Sequence, residues 1–377
     1  MTPITLPYGR HDISAQDIEA VVEVLCSDWL TTGPMVEAFE KAVVDFVGVR
    51  DAAAVSTGTA ALHAMIHALG IGPGDEVIVP PLTFAATANA VVYTGATPVF
   101  ADVCPDTLLL DPEQVVRLIT ARTKAVVAMD YGGQPCDYWQ LQAIAERSGI
   151  VLLADACHSM GATFEQKRCG SLAFASAFSF HPVKAITCGE GGMVCSDDAD
   201  FIRRVKRFRN HGLDRDHRQR SREQSWHYEM VELGFNYRLS DLQCALGLSQ
   251  IRRLPEWLDK RRQLAAHYDH LLADVELIRP LSRADNVEHA YHLYVVRVAG
   301  QKRDELFTAL RENGVGVAVH YPPVHLHPFY KDRYHTREGM CPVAENAYQE
   351  IISLPIYPAM TFDDVGRVVD ILLHHAR

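Results

Sequence analysis

The sequence lacks the features of several protein classes. No apolar run approaches the ~20 residues of a membrane-spanning helix, and the N-terminus has no basic segment followed by an apolar one, so we expect neither a membrane span nor a secretory signal. Nine cysteines occur without CxxC pairs or zinc-like histidine spacing, which indicates free thiols, a reducing compartment and no metal site. The net charge of −11 argues against non-specific nucleic-acid binding. These absences indicate an ordinary cytoplasmic protein.

A dinucleotide-binding motif is also missing. A Rossmann fingerprint follows a strand and opens a helix. Here Gly70, Gly72 and Gly74 follow a helical pattern and precede the apolar strand at residues 76–79, so they are better interpreted as a turn. Their position disfavours a nicotinamide-dependent oxidoreductase.

Short apolar strand patterns alternate with helical patterns through most of the chain before residue 200. Ser14, with Asp17 three residues later, predicts the N-terminal cap of the first helix. This alternation predicts an α/β domain with a mostly parallel sheet flanked by helices, which we assign to residues 12–250. An arm at residues 1–11 precedes it, and we expect this arm near the active site.

The pattern changes after a long helical stretch from about residue 240 to 272, which Pro255 is expected to kink or split. A mixture of strands and helices follows, including a helix predicted over residues 351–355 and a last helix from Thr361. Residues 251–377 are therefore predicted to form a smaller α+β domain.

One lysine and one aspartate stand out, each after a short apolar strand. Lys184 follows Ser179-Phe-His-Pro-Val and precedes a Glu-Gly-Gly turn, and Asp155 ends the apolar run at residues 150–154. In isolation, Lys184 is more commonly a surface lysine, and Asp155 a helix cap or a metal ligand. Together they supply what pyridoxal phosphate (PLP) requires, an amine for a Schiff base and a carboxylate that keeps the pyridine nitrogen protonated. The pair favours a PLP site.

Other candidates keep two interpretations each. The hydroxyl-rich turn at residues 56–60 opens a helix, so it is either a phosphate cradle or a simple cap by Thr57 or Thr59. Phe84 either stacks on a flat ring or packs in the core. The arginine-rich stretch at residues 215–222 either grips a diphosphate or is a solvated loop.

Short motifs occur over nearly the whole chain, namely Leu30-Thr-Thr-Gly-Pro34, Ser56-Thr-Gly-Thr-Ala60, Asp155-Ala-Cys-His158, Phe178-Ser-Phe-His-Pro-Val-Lys184, Gly189-Glu-Gly-Gly192, Asn236-Tyr-Arg-Leu-Ser-Asp241, Val319-His-Tyr321 and Ser353-Leu-Pro355. In these motifs the chain resembles the DegT/DnrJ/EryC1/StrS sugar aminotransferases, of PLP fold type I. The resemblance implies a seven-stranded sheet in the large domain and PLP, or its amine form (PMP), as cofactor.

The resemblance also implies roles for single residues around the cofactor. Lys184 would bind its aldehyde and later carry a proton between the donor Cα and the cofactor, while Asp155 would pair with the pyridine nitrogen. Phe84 would stack on the ring. Further contacts would come from Thr59, Ala60 and Ser179 at the phosphate and from Gln134 and His158 near the O3′ side.

Contacts beyond the cofactor follow from the same resemblance. Asn236 or Arg238 would reach the phosphate from a neighbouring subunit, which implies a homodimer with shared active sites. The candidates for binding the sugar nucleotide are Tyr8, Thr31, His320 and Tyr321.

The chain looks most like the pseudaminic acid branch of the family. The implied ping-pong reaction moves the amino group of L-glutamate to the C4 ketone of a UDP-linked 4-keto-6-deoxy-N-acetylhexosamine. The alternative branch acts on a UDP-4-keto-pentose and makes aminoarabinose. Sugar dehydratases of this fold carry histidine at the lysine position, so Lys184 argues against them, and the intact Asp155, Lys184 and Ser179 argue against an inactive regulatory relative.

Overall fold

The structure is a computed structural model that describes residues 3–215, 220 and 224–375. Most of the arginine-rich stretch at residues 215–222, for which the sequence indicates a solvated loop or a diphosphate grip, lies outside the described residues. No helix in the described part is long and apolar enough to span a membrane.

Helices and strands alternate up to about residue 210, and a second group of elements follows. The helices are α1 (Ala15–Leu25), α2 (Pro34–Val47), α3 (Gly58–Ala68), α4 (Ala86–Tyr93), α5 (Pro112–Leu118), α6 (Tyr138–Ser148), α7 (Ala199–Phe208), α8 (Asp241–Ile251), α9 (Leu254–Leu272), α10 (Arg303–Glu312), α11 (Pro328–Tyr334), α12 (Pro342–Glu350) and α13 (Phe362–His375). The strands are β1 (Asp51–Val55), β2 (Glu76–Val79), β3 (Thr97–Phe100), β4 (Thr123–Met129), β5 (Val151–Asp155), β6 (Thr163–Phe164), β7 (Lys167–Arg168), β8 (Ala175–Ser179), β9 (Gly192–Ser196), β10 (Ile278–Pro280), β11 (Val287–Glu288), β12 (Tyr294–Val298) and β13 (Ile351–Leu354).

The first helix begins where the sequence predicts it. The Ser14 hydroxyl accepts a hydrogen bond from the Asp17 N–H at 3.2 Å, and the Asp17 carboxylate accepts one from the Ser14 N–H at 2.9 Å. This reciprocal capping box satisfies two backbone donors that the first turn would otherwise leave unpaired. The predicted cap is confirmed.

The main sheet has seven strands in the order β1-β9-β8-β5-β4-β2-β3. The pairs among β3, β2, β4, β5 and β8 are parallel, whereas β9 runs antiparallel to both of its neighbours. Helices cover the parallel strands, so β2 is completely buried and reads as an apolar run rather than an alternating one. The predicted mostly parallel α/β sheet is confirmed.

The carboxyl ends of the central strands meet at one edge of this sheet. Met129 of β4 pairs with Asp155 of β5, and Asp155 pairs with Ala177 of β8. Because parallel strands end side by side, the side chains that follow them converge in the crevice where open α/β sheets bind ligands. Asp155, Ser179 and the turn leading to Lys184 all lie at this edge.

The long helical pattern is two helices rather than one kinked helix. Helix α8 ends at Ile251 and α9 begins at Leu254, with Pro255 in the first turn, where its missing N–H breaks no helical bond. Trp257 and Leu258 pack in a core beside the main sheet, and the helix beyond Leu264 packs in a second core. The domain division at residue 250 stays a prediction.

A second sheet has the order β10-β12-β13, and a small third sheet joins β11 to β6 and β7. The helix predicted over residues 351–355 is wrong, because Ile351–Leu354 is a strand that pairs antiparallel with β12. All four residues of this strand are buried, and a helix of that length would leave most of its backbone groups unpaired.

The N-terminal arm is tied to the rest of the chain by hydrogen bonds. Thr5 donates its N–H to the Gly314 carbonyl at 2.9 Å, and the Gly316 N–H donates to the Leu6 carbonyl at 2.7 Å. Further along, the Asp12 carbonyl accepts a bond from the Gln250 side chain at 2.9 Å. Hydrogen bonds thus hold the arm at Thr5 and Leu6 and the chain just beyond it at Asp12, with Tyr8 between them.

Candidate active site

Lys184 lies in a turn just beyond β8. Its N–H donates to the His181 carbonyl at 2.9 Å, and its half-buried side chain brings Nζ to 3.5 Å from Nε2 of His292. Burial lowers the pKa of Lys184, and the nearby Cys157 and Asp155 partly oppose this effect. A lower pKa increases the fraction of neutral amine, which is the nucleophilic form.

Asp155 is buried and held by two donors. The Thr87 hydroxyl donates to Oδ2 at 2.7 Å, and the Cys157 N–H donates to Oδ1 at 3.2 Å. The Thr83 hydroxyl lies 2.6 Å from that of Thr87 and extends the network. These contacts hold the carboxylate in place at the strand end without a basic side chain, which leaves its charge available to a cationic partner.

Two histidines and a tyrosine line the space beside Lys184. The rings of His158 and His292 lie 4.2 Å apart, and His158 Nε2 lies 3.1 Å from the Tyr321 hydroxyl. Burial, together with the positive charge of Lys184, lowers the pKa of both histidines well below the usual value. Both imidazoles are therefore neutral at physiological pH. Sequence reasoning identified His158 and Tyr321 but missed His292.

The beginning of α3 forms a narrow cradle. Thr57 caps the helix, with its hydroxyl accepting the Ala60 N–H at 3.0 Å. A Cβ on Gly58 would lie 2.7 Å from Cβ of Ser179, so only glycine fits between the helix and β8. Gly58 and Ser179 thus meet at a helix N-terminus, with Thr59 the next residue of the helix, and there the dipole and the first N–H groups favour an anion. The Ala60 N–H is already paired with the Thr57 hydroxyl that caps the helix.

A segment next to this cradle carries Asn236 and Arg238. The Ser56 N–H donates to the Tyr237 carbonyl at 2.8 Å, so the segment supports the turn that precedes Thr57. Asn236 is exposed, and the Arg238 guanidinium donates to Oδ1 of Asn210 at 2.8 Å. Within one chain, the structure does not bring these two side chains to Lys184.

His320 and Tyr8 form one wall of the crevice at the strand ends, which is called the cleft from here on. Their rings are 5.3 Å apart, and Nδ1 of His320 lies 2.8 Å from the Ser353 hydroxyl. The Tyr131 hydroxyl donates to the His320 carbonyl. Burial and the charge of Lys184 lower the pKa of His320 to about 4. The arm is therefore part of this wall, through Tyr8.

Phe84 is 61% exposed, so the interpretation as a core residue is wrong. Its ring lies 6.1 Å from that of Tyr321.

Two other candidates are engaged elsewhere. The Gln134 side chain donates to the Ser282 carbonyl at 3.2 Å and accepts from the Ala284 N–H at 3.1 Å, and exposed Thr31 pairs with Ser240 in an isolated bridge.

The chain was compared with known proteins on its sequence and on this fold, a seven-stranded sheet with a half-buried lysine and a buried carboxylate at one edge. The chain belongs to the DegT/DnrJ/EryC1/StrS aminotransferase family, whose profile matches residues 11–373. It is 42% identical over 372 residues to the spore coat polysaccharide biosynthesis protein SpsC of Bacillus subtilis, covering 97% of this chain and 95% of SpsC.

Solved structures agree with this assignment. A candidate sugar aminotransferase, Spr1654 of Streptococcus pneumoniae in its PMP form, has a TM-score of 0.94 and 29% identity over 99% of each chain. Helicobacter pylori PseC, an aminotransferase involved in the biosynthesis of pseudoaminic acid, has a TM-score of 0.92 and 31% identity over 98% of each chain. The fold class predicted from the sequence is confirmed.

Proposed function

We propose that this protein is a PLP-dependent sugar aminotransferase that transfers the amino group of L-glutamate to the C4 ketone of a UDP-linked 4-keto-6-deoxy-N-acetylhexosamine. The product would be UDP-4-amino-4,6-dideoxy-N-acetyl-β-L-altrosamine. The observation that carries the proposal is the arrangement of Lys184, Asp155 and the Gly58 cradle around one crevice. The PLP and PMP forms in which the related Spr1654 was solved support the cofactor.

The residues fit this cofactor. The cradle at Gly58, which a Cβ would fill, suits a phosphate at a helix N-terminus. The buried Asp155 has no basic partner among its hydrogen bonds, so a protonated pyridine nitrogen would complete its charge balance. Lys184 is half-buried with a lowered pKa, as covalent binding of an aldehyde requires.

When bound, PLP supplies an aldehyde that exchanges amino groups and a ring that withdraws electrons from the donor Cα. Asp155 would hold a proton at the pyridine nitrogen, and Thr87 would orient Asp155. Lys184 would carry the proton taken from the donor Cα. Phe84 would cover one face of the ring, and Tyr8 would help to exclude water.

The proposed sugar substrate is inferred from related proteins. PseC acts in pseudoaminic acid biosynthesis and SpsC in that of a spore coat polysaccharide, which supports a sugar derivative as the acceptor. His320 and Tyr321 lie in the wall of the cleft and would contact the sugar nucleotide. Thr31 and Gln134 keep their predicted roles only as proposals, because their side chains or backbones are engaged elsewhere.

A second copy of the chain would complete the site. An exposed apolar segment at residues 226–235 (the apolar segment) leads directly to Asn236 and Arg238. Its exposed members are Trp226, Tyr228, Met230, Val231, Leu233 and Phe235, with Trp226 86% and Leu233 77% exposed. Monomers rarely expose such a patch, so it supports a homodimer in which Asn236 or Arg238 reaches the partner's phosphate.

The test is spectroscopic. Purified protein should be yellow with PLP, bleach when glutamate is added, and regain its colour when the UDP-4-keto-6-deoxy-N-acetylhexosamine is added. Bleaching without recovery would keep the aminotransferase and reject this sugar, and a UDP-4-keto-pentose would then be tried. No visible absorbance even with added PLP would reject the proposal.

Lys184→Ala should still bind PMP but lose turnover by at least a thousandfold, because the group that carries the proton is gone. Lys167→Ala, which removes an exposed lysine over Trp139, is the matched control and should leave turnover unchanged. Borohydride reduction should fix PLP to the Lys184 peptide in the wild type and in the control. Full activity of Lys184→Ala would overturn its assignment.

A further inference from the structure

The segment at residues 290–293 is fixed to three parts of the molecule. Ala290 and Leu293 donate their N–H groups to the Gly133 and Gly132 carbonyls, both at 3.0 Å. The buried Arg261 donates to the Tyr291 carbonyl at 3.0 Å and to the Ile356 carbonyl at 2.8 Å. The backbone of residues 290–293 is therefore fixed in place.

His292 is the side chain that this segment presents to Lys184. Its Nε2 lies 3.5 Å from Nζ of Lys184, at the outer limit of hydrogen-bond distance. Its ring packs on His158 at 4.2 Å, and it is buried. Its Nδ1 has no hydrogen-bond partner in the described part of the chain. The ring is thus fixed by packing, with one nitrogen directed at the lysine.

We propose that His292 is a positioning residue for Lys184, whose free ε-amino group it holds by accepting an N–H hydrogen bond at Nε2. The role goes beyond the residues assigned so far, and it rests on the proposed function, since only a catalytic lysine needs such placement. When Lys184 is not covalently bound, its flexible side chain has several rotamers. His292 selects the one that keeps Nζ in the cleft.

The chemistry suits a neutral imidazole. A lysine side chain carries N–H donors in both its charged and its neutral form, so an acceptor lone pair holds it in either state. In this role Nε2 offers its lone pair and the single proton of the neutral ring is on Nδ1, so His292 gains and loses no proton. Lys184 remains the group that carries the proton.

Other titratable groups face this pair and shape its behaviour. Those facing Lys184 or His292 are Asp155, Cys157, His158, Arg261 and His320. Among them, Asp155 is the only carboxylate and has its own two donors. A substitution at His292 keeps all five of these side chains, so variants at this position are compared with the same charged groups around Lys184.

The experiment measures Lys184 directly in PLP-free protein. Limiting acetic anhydride labels the neutral amine, and mass spectrometry of the Lys184 peptide at several pH values gives its apparent pKa. In His292→Phe, the ring still packs on His158 but the acceptor is lost. The charged ammonium of Lys184 loses more hydrogen-bond stabilisation than the neutral amine does, because bonds to charged groups are stronger. We therefore expect the midpoint of the labelling curve to fall by roughly 0.5–1 pH unit.

Turnover supplies the second readout. With PLP and both substrates, His292→Phe should lower kcat roughly 10- to 100-fold with little change in KM, because placement of the lysine is impaired after binding. His292→Gln can bring its amide oxygen close to the Nε2 position and should restore both readouts in large part. His267→Phe changes a half-buried histidine of α9 whose ring packs on Phe362, and it should leave both unchanged.

A folded His292→Phe with the wild-type midpoint and kcat would overturn the proposal, as would an equal shift in His267→Phe. If His292→Phe does not fold, His292→Asn replaces it. Its amide is one methylene too short to reach Lys184, so equal behaviour of the asparagine and glutamine variants would also overturn it. Wild-type protein that fails to bind PLP would reject the proposed function, whereas labelling would still report on the pair.

Discussion

Gly58→Ala tests the shape of the cradle at the start of α3. The added Cβ would lie 2.7 Å from Cβ and 3.1 Å from Oγ of Ser179, and 3.3 Å from Sγ of Cys157. Because Cβ atoms essentially never approach other carbons below 3.0 Å, the first turn of α3 or the end of β8 must move. Either movement opens the cradle.

The magnitude follows from two opposed effects. Overpacking a tight contact costs about 1–3 kcal/mol. Alanine is also more favourable than glycine in a helix by about 0.5–1 kcal/mol. The net change in the free energy of unfolding should therefore be a loss of about 0–2.5 kcal/mol.

Gly366→Ala is the matched control, since a Cβ on Gly366, inside α13, would meet nothing within 4 Å. Its free energy of unfolding should rise by about 0.5–1 kcal/mol, from the better helix propensity of alanine alone. When both variants are unfolded in urea as PLP-free protein, the difference between their changes in the free energy of unfolding gives the cost of the tight contact at Gly58, about 1–3 kcal/mol. A titration with PLP should show at least a tenfold weaker affinity in Gly58→Ala alone, which corresponds to about 1.4 kcal/mol.

Equal stability gains in the two glycine variants would refute the contact argument. Unchanged PLP affinity in a destabilised Gly58→Ala would keep the packing argument but reject the cradle as the phosphate site.

Three further predictions concern other parts of the molecule. Thr87→Val removes the hydroxyl donor of Asp155 and should lower the free energy of unfolding by about 1–3 kcal/mol in urea, and no loss would show that the bond does not hold the carboxylate. Gly247→Ala, inside α8, would place a Cβ 2.6 Å from both Cys188 Sγ and Phe39 Cζ, so an overpacking cost of about 1–3 kcal/mol less a helix gain of about 0.5–1 kcal/mol should appear in thermal unfolding as a net loss, and a net gain would contradict the packing. Burial and the neighbouring His67 lower the pKa of His63 from 6.5 to about 4. The unfolded chain binds this proton first, so stability should fall from pH 6.5 towards pH 4 by about 3 kcal/mol, and unfolding measured across this range should show a smaller fall in His63→Phe.

The sequence predicts the part of the site that is encoded locally. Asp155 directly follows a buried strand and Lys184 follows another, so the rule that ligands lie at carboxyl ends places both at one edge. The capping box at Ser14 and Asp17 is local in the same way, and it is confirmed. Such features depend on a few neighbouring residues and on strand direction alone.

Contacts between distant parts of the chain could not be predicted in this way. Thr87 meets Asp155 across 68 residues, and His292 meets Lys184 across 108. No spacing rule connects these positions, because sheet order and the packing of residues 290–293 against Gly132 and Gly133 decide them.

The strand Ile351–Leu354 shows the same limit for secondary structure. A short apolar run is compatible with a buried helix or strand, and only its partner strand decides.

The bond from the Ser56 N–H to the Tyr237 carbonyl has a thermodynamic consequence. It joins the turn that opens the cradle at Gly58 to the chain that continues from the apolar segment. In the proposed dimer, association would order that chain and therefore favour cofactor binding, and cofactor binding must favour association by the same factor. Affinity for PLP would then depend on protein concentration, so that loss of colour on dilution and tighter assembly on adding PLP would measure a single coupling free energy.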